Sequence, residues 1–496
     1  MSAESYAELE RRFARMSKVS GALGMLHWDQ SVIMPPGGAE ARGEQLATLR
    51  LIAHEMLTDP AIAGLLADAE AADGLDPWQA ANLRLMRRRY AHATAVPGRL
   101  VEALSRAITR CETVWRTARA DSDFPTLLPH LREVLDLTRE AAVAKGERLG
   151  LAPYDALLDE FDPGRPAARI DAIFADLESW LPDLLSRILD RQGPAPLPTE
   201  GRFPVAAQRT LGERMMRTLG FDFDRGRLDV SLHPFSGGVP DDSRITTRYD
   251  EDDYASALMG VLHETGHALY EQGLPKEWRY QPVGQDGGMA VHESQSLIVE
   301  MQACRSREFA GFVAPLLREA FGVDGEAWTP DNLYRANIRV APGFIRVDAD
   351  EVTYPAHIIL RYRLEQALIG GGLDLADLPE AWGEGMEKLL GIRPPDDRRG
   401  CLQDIHWPDG AWGYFPSYTL GAMGAAQLFE AAQAAHPGLR EAIGRGDFAP
   451  LVGWLREHVH ARASFDGSAD TLLEQATGRP LDPASFRRHL ERRYLG

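Results

Sequence analysis

Cysteine is scarce in this sequence of 496 residues. The three cysteines, Cys111, Cys304 and Cys401, are far apart and odd in number, so they do not form the framework of a disulfide-stabilised secreted domain. A sequence with so few cysteines is typical of a reducing compartment. We therefore expect a cytoplasmic protein.

Long apolar runs are also missing. No window of the sequence approaches the roughly 20 consecutive apolar residues that an α-helix needs to span a bilayer. The first 18 residues are charged and amphipathic, and they contain neither the apolar core nor the cleavage site of a secretory signal. The sequence predicts no membrane partner.

Basic residues are fewer than acidic residues. Lysine and arginine number 54 and aspartate and glutamate number 73, which makes the net charge −19. Such a charge disfavours nucleic acids and anionic membranes as partners, although it does not identify a substrate. With 44% apolar and 26% charged residues, the composition is that of a globular protein. The length allows several domains or one large helical body.

Helical periodicity dominates the sequence as far as residue 190. Apolar residues recur every three or four positions in four clear segments: Tyr6–Met16, Gly43–Met56, Trp78–Tyr90 and Leu131–Leu149. The Pro-rich stretch 192–204 could join two lobes or form a surface loop. Alternating residues at Leu228–His233 and Ile245–Tyr249 predict a hairpin or short sheet around a turn-rich segment. The remainder is helical and ends in a basic helix, Ala484–Tyr494, which we expect to face solvent.

The most informative stretch is Tyr254–Gly273, whose pattern predicts a buried helix. At its centre lies the sequence His-Glu-Thr-Gly-His. On a helix, His263 and His267 project from one face, at a spacing that suits two ligands of a tetrahedral Zn²⁺. Glu264 would lie beside the metal and could accept a proton from a metal-bound water, as the glutamate of H-E-x-x-H metalloproteases does.

The alternative is a helix with two surface histidines that flank a glutamate by chance. Histidine is rare in this chain, with 14 residues in 496, and the pair falls in an apolar run. An unpaired imidazole would be costly to bury there. We therefore favour the metal site.

A metal site of this kind needs a third ligand. Glu293 opens a second helix that the pattern predicts over Gly288–Phe321, and a helix–turn–helix return would bring it against the first helix. Two histidines and one glutamate with an open fourth position are the ligands of a catalytic zinc site. Glu271, one turn beyond His267, is less well placed, and we expect His292 to be a supporting or packing residue.

Further motifs occur in a fixed order along the chain. Besides residues 263–267 and the sequence His-Glu-Ser-Gln at 292–295, they occupy 28–30, 42–45, 233–235, 242–246, 345–350, 400–407 and 413–418. Together these motifs resemble those of the carboxypeptidase Taq family of metallocarboxypeptidases. The resemblance covers essentially the whole chain.

The resemblance implies a mainly α, groove-shaped helical body of the H-E-x-x-H oligopeptidase-like type, with the metal at its floor and a small sheet near the site. We expect a single peptidase domain, 1–496, in which two helical lobes, 1–192 and 205–496, surround a deep cleft. The resemblance also implies Zn²⁺, replaceable by Co²⁺ or another divalent metal, held by His263, His267 and Glu293. It further implies a homodimer.

An exopeptidase must bind a free carboxylate, which a guanidinium does with two hydrogen bonds. Arg346 lies in the motif to which the resemblance assigns this role. The alternative is a salt bridge from Arg346 to Asp348 or Asp350. Arg244 and Arg248 are weaker candidates of the same kind.

A donor aimed at the oxyanion of the reaction is expected in the segment Gln403–Tyr418, which is polar and broken by glycine and proline. We expect His406 and Tyr418 to stabilise the oxyanion, and Tyr414 and Gln403 to bind substrate. The alternative oxyanion donors are Tyr354 and His357. The alternative reading of the segment is an aromatic plug formed by Trp407, Trp412, Tyr414 and Phe415.

The sequence thus predicts a zinc-dependent metallocarboxypeptidase. The resemblance implies that it removes C-terminal amino acids one at a time from peptides with broad specificity, and the metal motif predicts that it does so through a metal-bound water assisted by Glu264. One alternative is an endo-acting oligopeptidase built on the same groove. Another is a catalytically silent metal- or peptide-binding scaffold, which the intact Glu264 disfavours because a binding module needs no base.

Overall fold

The computed structural model describes residues 2–71, 73–231 and 234–496, so His233 of the predicted first strand lies outside the described residues. The structure is 71% helical, which confirms the predicted mainly α class. The described residues form these helices: α1 (Ser2–Val32), α2 (Ala39–Thr58), α3 (Pro60–Glu70), α4 (Pro77–Ala95), α5 (Gly98–Asp121), α6 (Phe124–Leu149), α7 (Pro153–Phe161), α8 (Ala167–Arg191), α9 (Val205–Leu219), α10 (Tyr254–Gly273), α11 (Met289–Leu297), α12 (Arg307–Phe321), α13 (Pro330–Asn337), α14 (Tyr354–Ile369), α15 (Leu378–Leu390), α16 (Pro416–Ala435), α17 (Leu439–Gly444), α18 (Ala449–His458), α19 (Ala469–Thr477) and α20 (Pro483–Leu495).

Two compact units are each assembled from three chain segments. The first unit comprises Met1–Ala93, Ala195–Asn337 and Gly424–Leu481, and the second comprises Thr94–Pro194, Ile338–Met423 and Asp482–Gly496. The predicted lobes 1–192 and 205–496 around a cleft remain a prediction. No helix of the described residues is long and apolar enough to cross a membrane.

Helix α10, in the first unit, has the bounds that its sequence predicts. The side chain of Asp253 caps its first turn by accepting hydrogen bonds from the backbone N–H groups of Ala255, at 3.0 Å, and Ser256, at 3.1 Å. The helix ends at Gly273, where a Cβ would lie 2.9 Å from the Cβ of His460. Most of its residues are buried, as the apolar pattern predicts.

A three-stranded sheet precedes α10. It consists of β1 (Gly226–Val230), β2 (Ser236–Val239) and β3 (Asp242–Thr247), with β3 in the middle, parallel to β1 and antiparallel to β2. The predicted short sheet is therefore confirmed, but β2 was predicted as a turn. Its sequence, Ser-Gly-Gly-Val, has the composition of a turn, and Gly238 indeed has φ +93° where the chain approaches Asp242 closely.

The sheet holds α10 from one side. The hydroxyl of Ser236 in β2 donates to the backbone carbonyl of Glu264 at 3.2 Å, and that of Thr247 in β3 donates to the carbonyl of Ala257 at 3.3 Å. Strands and helix are thus fixed to one another next to the His-Glu-Thr-Gly-His motif.

The prediction of a single helix over Gly288–Phe321 is wrong, because this segment is interrupted. Helix α11 passes into a π-helical segment, Ile298–Cys304, and α12 begins after a break. The side chain of Ser306 caps α12 by accepting from the N–H of Phe309 at 3.1 Å. A cap of this kind starts a new helix in the middle of a continuous apolar pattern, which periodicity alone does not show.

The prediction that the basic C-terminal helix faces solvent is wrong for two of its residues. In the second unit, the buried carboxylate of Glu351 accepts hydrogen bonds from His489 Nε2 at 2.8 Å, Arg493 Nη1 at 2.9 Å and the Tyr494 hydroxyl at 3.1 Å. Burial opposes ionisation, but the charges of His489 and Arg493 lower the pKa of Glu351 to about 2. Helix α20 is therefore anchored by charge, since its basic face meets a buried acid.

The close packing of α10 on α11 predicts the effect of enlarging Gly266. A Cβ at Gly266 would lie 2.6 Å from the Cα of Ser296 and closer still to the carbonyl oxygen of Gln295. We expect Gly266→Ala to destabilise the protein by about 1–3 kcal/mol, because neither backbone can move without disturbing its helix. The control is Gly64→Ala in α3, where nothing lies within 4 Å of the new Cβ.

The Gly64→Ala control should instead stabilise the protein by up to about 1 kcal/mol, since alanine has a higher helix propensity than glycine. Urea unfolding of both variants provides the measurement. A Gly266→Ala variant as stable as the Gly64→Ala variant would show that the helices are not in such close contact.

Candidate active site

The three residues predicted as metal ligands come together in the first unit. His263 and His267 lie one turn apart on α10, and Glu293 reaches them from α11. One ligand atom from each of the three lies within 4.8 Å of the others. The helix–turn–helix return inferred from the sequence thus brings Glu293 against the two histidines.

The donor set fits a divalent metal such as zinc. Nε2 of His267 and Oε2 of Glu293 are 3.5 Å apart. Two ligands of a tetrahedral ion with bonds of 2.0–2.1 Å are separated by about 3.4 Å. Two imidazoles and one carboxylate also suit a borderline metal, because imidazole and carboxylate both bind zinc.

Both histidine rings are oriented through Nδ1. Nδ1 of His263 donates to Oε2 of Glu300 at 3.0 Å, and Nδ1 of His267 donates to the backbone carbonyl of His292 at 3.1 Å. Because a carboxylate and a carbonyl accept hydrogen bonds, each neutral ring keeps its proton on Nδ1. Each ring, when neutral, therefore has the lone pair of Nε2 available for a metal.

The charges of the cluster shift its pKa values in opposite directions. Burial opposes the charge of His263, but its hydrogen bond to Glu300 and the neighbouring carboxylates raise the pKa of His263 to about 10. Burial and the proximity of His292 lower the pKa of His267. Burial likewise opposes the charge of Glu293, but the histidines around it lower the pKa of Glu293. In the metal-free protein the cluster thus holds a proton that a metal ion must displace.

His292 and Glu271 form a pair beside the cluster. Nε2 of His292 donates to Oε1 of Glu271 at 3.0 Å, and the His292 ring stacks on that of His267 with centroids 4.6 Å apart. His292 therefore supports His267 through its ring and its carbonyl. Glu271 is occupied by this pair.

Glu264 has no such partner. The residue is 7% exposed, and within the described parts of the chain its carboxylate makes neither a hydrogen bond nor an ion pair. A nearly buried carboxylate without a partner is costly to fold and is typical of a group kept for chemistry. Its place in the chain, directly after His263, puts it at the edge of the candidate metal centre.

The second unit contains the predicted carboxylate-binding arginine. Nε and Nη2 of Arg346 donate to Oδ1 of Asp404, at 3.0 and 2.8 Å, and Nη1 donates to the hydroxyl of Tyr354 at 2.9 Å. Arg346 thus has a salt bridge, but neither Asp348 nor Asp350 forms it. Oδ1 of Asp350 instead accepts from the backbone N–H groups of Val352 and Thr353, just before α14.

Asp404 joins two arginines. Its second oxygen accepts from Nε of Arg361 at 2.7 Å. Although burial opposes ionisation, the guanidinium groups of Arg361 and Arg346 hold the pKa of Asp404 well below its usual range. Gln403, next to it, accepts from the backbone N–H of Arg346 at 2.8 Å and donates to the carbonyl of Phe344 at 3.0 Å. The Arg346 segment is therefore held by both side chains.

His406 and the two predicted tyrosines lie beside this salt bridge. A hydrogen bond of 3.1 Å joins Nε2 of His406 to the hydroxyl of Tyr418, whose ring lies 4.9 Å from the guanidinium carbon of Arg346. The Tyr414 ring packs edge-on against that of Tyr418 at 5.2 Å. Burial lowers the pKa of His406 to about 4, so its imidazole is neutral at pH 7. His357, the alternative donor, is fully buried.

Two residues of α14 that hold this segment were not predicted from the sequence. Arg361 binds Asp404, and Glu365, one turn later, accepts from Trp407 Nε1 at 2.7 Å, the Tyr154 hydroxyl at 2.8 Å and the N–H of Gly413 at 3.2 Å. Both residues are fully buried. Two charges four residues apart, Arg361 and Glu365, next to apolar residues of α14 are the signal that could have identified them.

Comparison with known proteins extends these observations. A family model described as carboxypeptidase Taq (M32) metallopeptidase matches residues 8–494. The chain is 40% identical to thermostable carboxypeptidase 1 of Thermus thermophilus, over 99% of this chain and 98% of that protein. It is 34% identical to carboxypeptidase 1 of Bacillus subtilis, over 97% and 96%. The solved structure of Trypanosoma cruzi metallocarboxypeptidase 1 matches with a TM-score of 0.97 and 42% identity, over 99% of this chain and all of that one. The predicted resemblance is confirmed.

The environment of Glu365 predicts how stability depends on pH. Burial raises the pKa of Glu365 from 4.5 to about 7, against three hydrogen bonds that favour its charged form. Because the folded protein keeps this proton to higher pH than the unfolded chain, the contribution of Glu365 is present below pH 4.5 and is lost as the pH rises towards 7. A difference of about 2.5 between the two pKa values corresponds to about 3 kcal/mol.

Glu365→Gln is neutral at every pH and should not show this loss. We expect the free energy of unfolding of the unmodified protein to fall by about 2–3 kcal/mol more than that of the variant between pH 5 and pH 8. Urea unfolding with a metal chelator in every sample measures the free energy of unfolding of both proteins. Parallel curves for the two proteins would show that Glu365 does not hold its proton in this range.

Proposed function

The chain belongs to the carboxypeptidase Taq (M32) family of metallopeptidases and is a metallocarboxypeptidase, and we propose that it is zinc-dependent and removes C-terminal residues one at a time with broad specificity. The observation that carries this proposal is the cluster of His263, His267 and Glu293, together with the adjacent Glu264, whose carboxylate has no hydrogen-bond or ion-pair partner among the described residues. Its substrates are peptides with a free C-terminus.

His263, His267 and Glu293 would hold the metal. A zinc ion bound there, or cobalt or another divalent metal in its place, supplies a Lewis acid that polarises the scissile carbonyl and acidifies water. The two histidines contribute Nε2, since their Nδ1 atoms are engaged with Glu300 and with a backbone carbonyl. The fourth position remains for substrate and water.

Glu264 is the proposed general base. Its carboxylate takes the proton of the attacking water and delivers it to the leaving amine. The absence of a hydrogen-bond partner for this carboxylate among the described residues supports the role, because a carboxylate paired with another side chain would be less available to a water molecule. No covalent intermediate is needed in this scheme.

Arg346 is the proposed anchor for the C-terminal carboxylate. Its three hydrogen bonds to Asp404 and Tyr354 use three of its five N–H groups, and the described residues offer no partner for the other two. Two N–H groups match the two oxygens of a carboxylate. Asp404 keeps the guanidinium in a fixed orientation.

His406 and Tyr418 are proposed to stabilise the oxyanion. Burial lowers the pKa of His406 and keeps its imidazole neutral, and a hydrogen bond joins its Nε2 to the Tyr418 hydroxyl. If Nε2–H donates to the phenol oxygen, the phenol O–H can donate to the oxyanion without a proton transfer. Tyr414 and Gln403 complete the proposed substrate-binding residues, Gln403 by holding the backbone of Arg346.

The cellular location, oligomeric state and partners of the enzyme are also proposed. A cytoplasmic location rests on three buried cysteines without disulfides. The homodimer rests on the family resemblance. Nucleic acids and membranes are not proposed as partners, because the net charge is −19.

Glu264→Gln tests the mechanism most simply. The metal-loaded variant should hydrolyse an N-terminally blocked pentapeptide with kcat/KM reduced at least 10²–10⁴-fold, because the base is removed while the metal ligands remain. Its zinc content should equal that of the unmodified enzyme. The control is Glu277→Gln, which changes an exposed acid of the same unit and should leave activity unchanged.

The same pentapeptide with an amidated C-terminus distinguishes exo- from endopeptidase action. The unmodified enzyme should release residues singly from the free acid and leave the amide essentially intact. Rapid internal cleavage of the amide would identify an oligopeptidase. A Glu264→Gln variant as active as the unmodified enzyme would remove Glu264 from the mechanism.

A further inference from the structure

Glu300 is not one of the candidate metal ligands, but it contacts one of them directly. It lies in the π-helical segment Ile298–Cys304, and its Oε2 accepts from Nδ1 of His263 at 3.0 Å. Its other oxygen, Oε1, accepts from Nε and Nη2 of Arg305, at 3.2 and 2.8 Å. Each oxygen of this carboxylate therefore has a defined partner.

The segment from α11 to the π-helix contacts α10 at two positions along the helix. Glu293 meets His267, the later histidine, and Glu300 meets His263, the earlier one, as expected for two helical segments that run in opposite directions. Segments with π-helical bonding are rare and recur at functional sites. Here the segment brings a second carboxylate to the histidine pair.

The two histidines differ in what orients them. His267 donates from Nδ1 to a backbone carbonyl, which is neutral and does not depend on any side chain. His263 donates to a carboxylate that is itself held by a guanidinium, and Arg305 in turn donates from Nη1 to the carbonyl of Asn337 at 3.1 Å. A charged acceptor makes an imidazole a stronger donor to a metal than a neutral one does.

We propose that Glu300 is a positioning residue for the metal ion: it fixes the His263 ring with Nε2 towards the cluster and strengthens it as a ligand, while Arg305 holds Glu300 in place. This inference rests on the proposed metal site. Outer carboxylates of this kind typically contribute 10- to 100-fold to metal affinity. The effect of Glu300 is therefore expected in metal binding rather than in the chemical step.

The second unit provides a matched control. Glu351 is 7% exposed, as is Glu300, and it too is bound by one histidine and one arginine. In contrast to Glu300, it contacts none of the three candidate ligands among the described residues. Removing its charge tests the general cost of breaking a buried Glu–His–Arg group.

The experiment compares unmodified protein, Glu300→Gln and Glu351→Gln after removal of metal. Zinc dissociation constants are measured by competition with a chromophoric chelator, and urea unfolding in EDTA reports the stability of each metal-free chain. We expect Glu300→Gln to bind zinc 10- to 100-fold more weakly and Glu351→Gln to bind it as the unmodified protein does. The absorption spectrum of the cobalt-loaded protein should change in Glu300→Gln alone.

The outcomes distinguish a failure of this inference from a failure of the proposed metal site. If the unmodified protein binds no zinc, the proposed metal site is wrong. If it binds zinc and Glu300→Gln binds it equally well, or if Glu351→Gln is weakened as much as Glu300→Gln, the positioning role is overturned. Should Glu300→Gln fail to fold, Arg305→Lys decides, because lysine cannot make both bonds to Glu300. That variant should bind zinc roughly 3- to 10-fold more weakly, and unchanged affinity would overturn the proposal.

Discussion

The burial of charge around α10 is the constraint on which the candidate active site depends. Four partly or almost fully buried glutamates lie there. A buried carboxylate without a partner costs free energy of folding. Three are paired with histidines, in the pairs Glu271–His292, Glu293–His267 and Glu300–His263. The carboxylates outnumber the single guanidinium of Arg305, so a divalent cation would balance the excess negative charge. Glu264 is the exception: among the described residues its carboxylate has no hydrogen-bond or ion-pair partner, which is consistent with a group that acts on water.

The fold was predictable where local patterns decide it. Helix α10 has the predicted bounds because its apolar pattern and the cap at Asp253 agree. The errors occur where local sequence and tertiary packing disagree. Strand β2 has the composition of a turn, and it forms because β3 provides a pairing edge. The break before α12 depends on a serine cap inside an apolar pattern. The basic residues of α20 pack inward because they bind the buried carboxylate of Glu351.

The candidate site shows the same division. The spacing of His263 and His267 places both on one helix face, so this pair could be predicted from sequence alone. Glu293 required a correct inference about the path of the chain. Arg361 and Glu365 were missed, and Glu300 was given no role, because their partners are distant in the sequence or on another element. A buried charge is recognisable only when its partner is known. Arg346 was identified by its motif, while its partner, Asp404, lies 58 residues away.

Zinc binding by the metal-stripped protein tests the central claim most directly. Calorimetric titration of the unmodified chain and of Glu293→Gln measures both the number of ions bound and their affinity. The account predicts one ion per chain for the unmodified protein, and at least about 100-fold weaker binding for the variant, because one of three protein ligands is lost. Absence of binding in the unmodified protein, or equal affinity in both proteins, would contradict the assignment of this cluster as the metal centre.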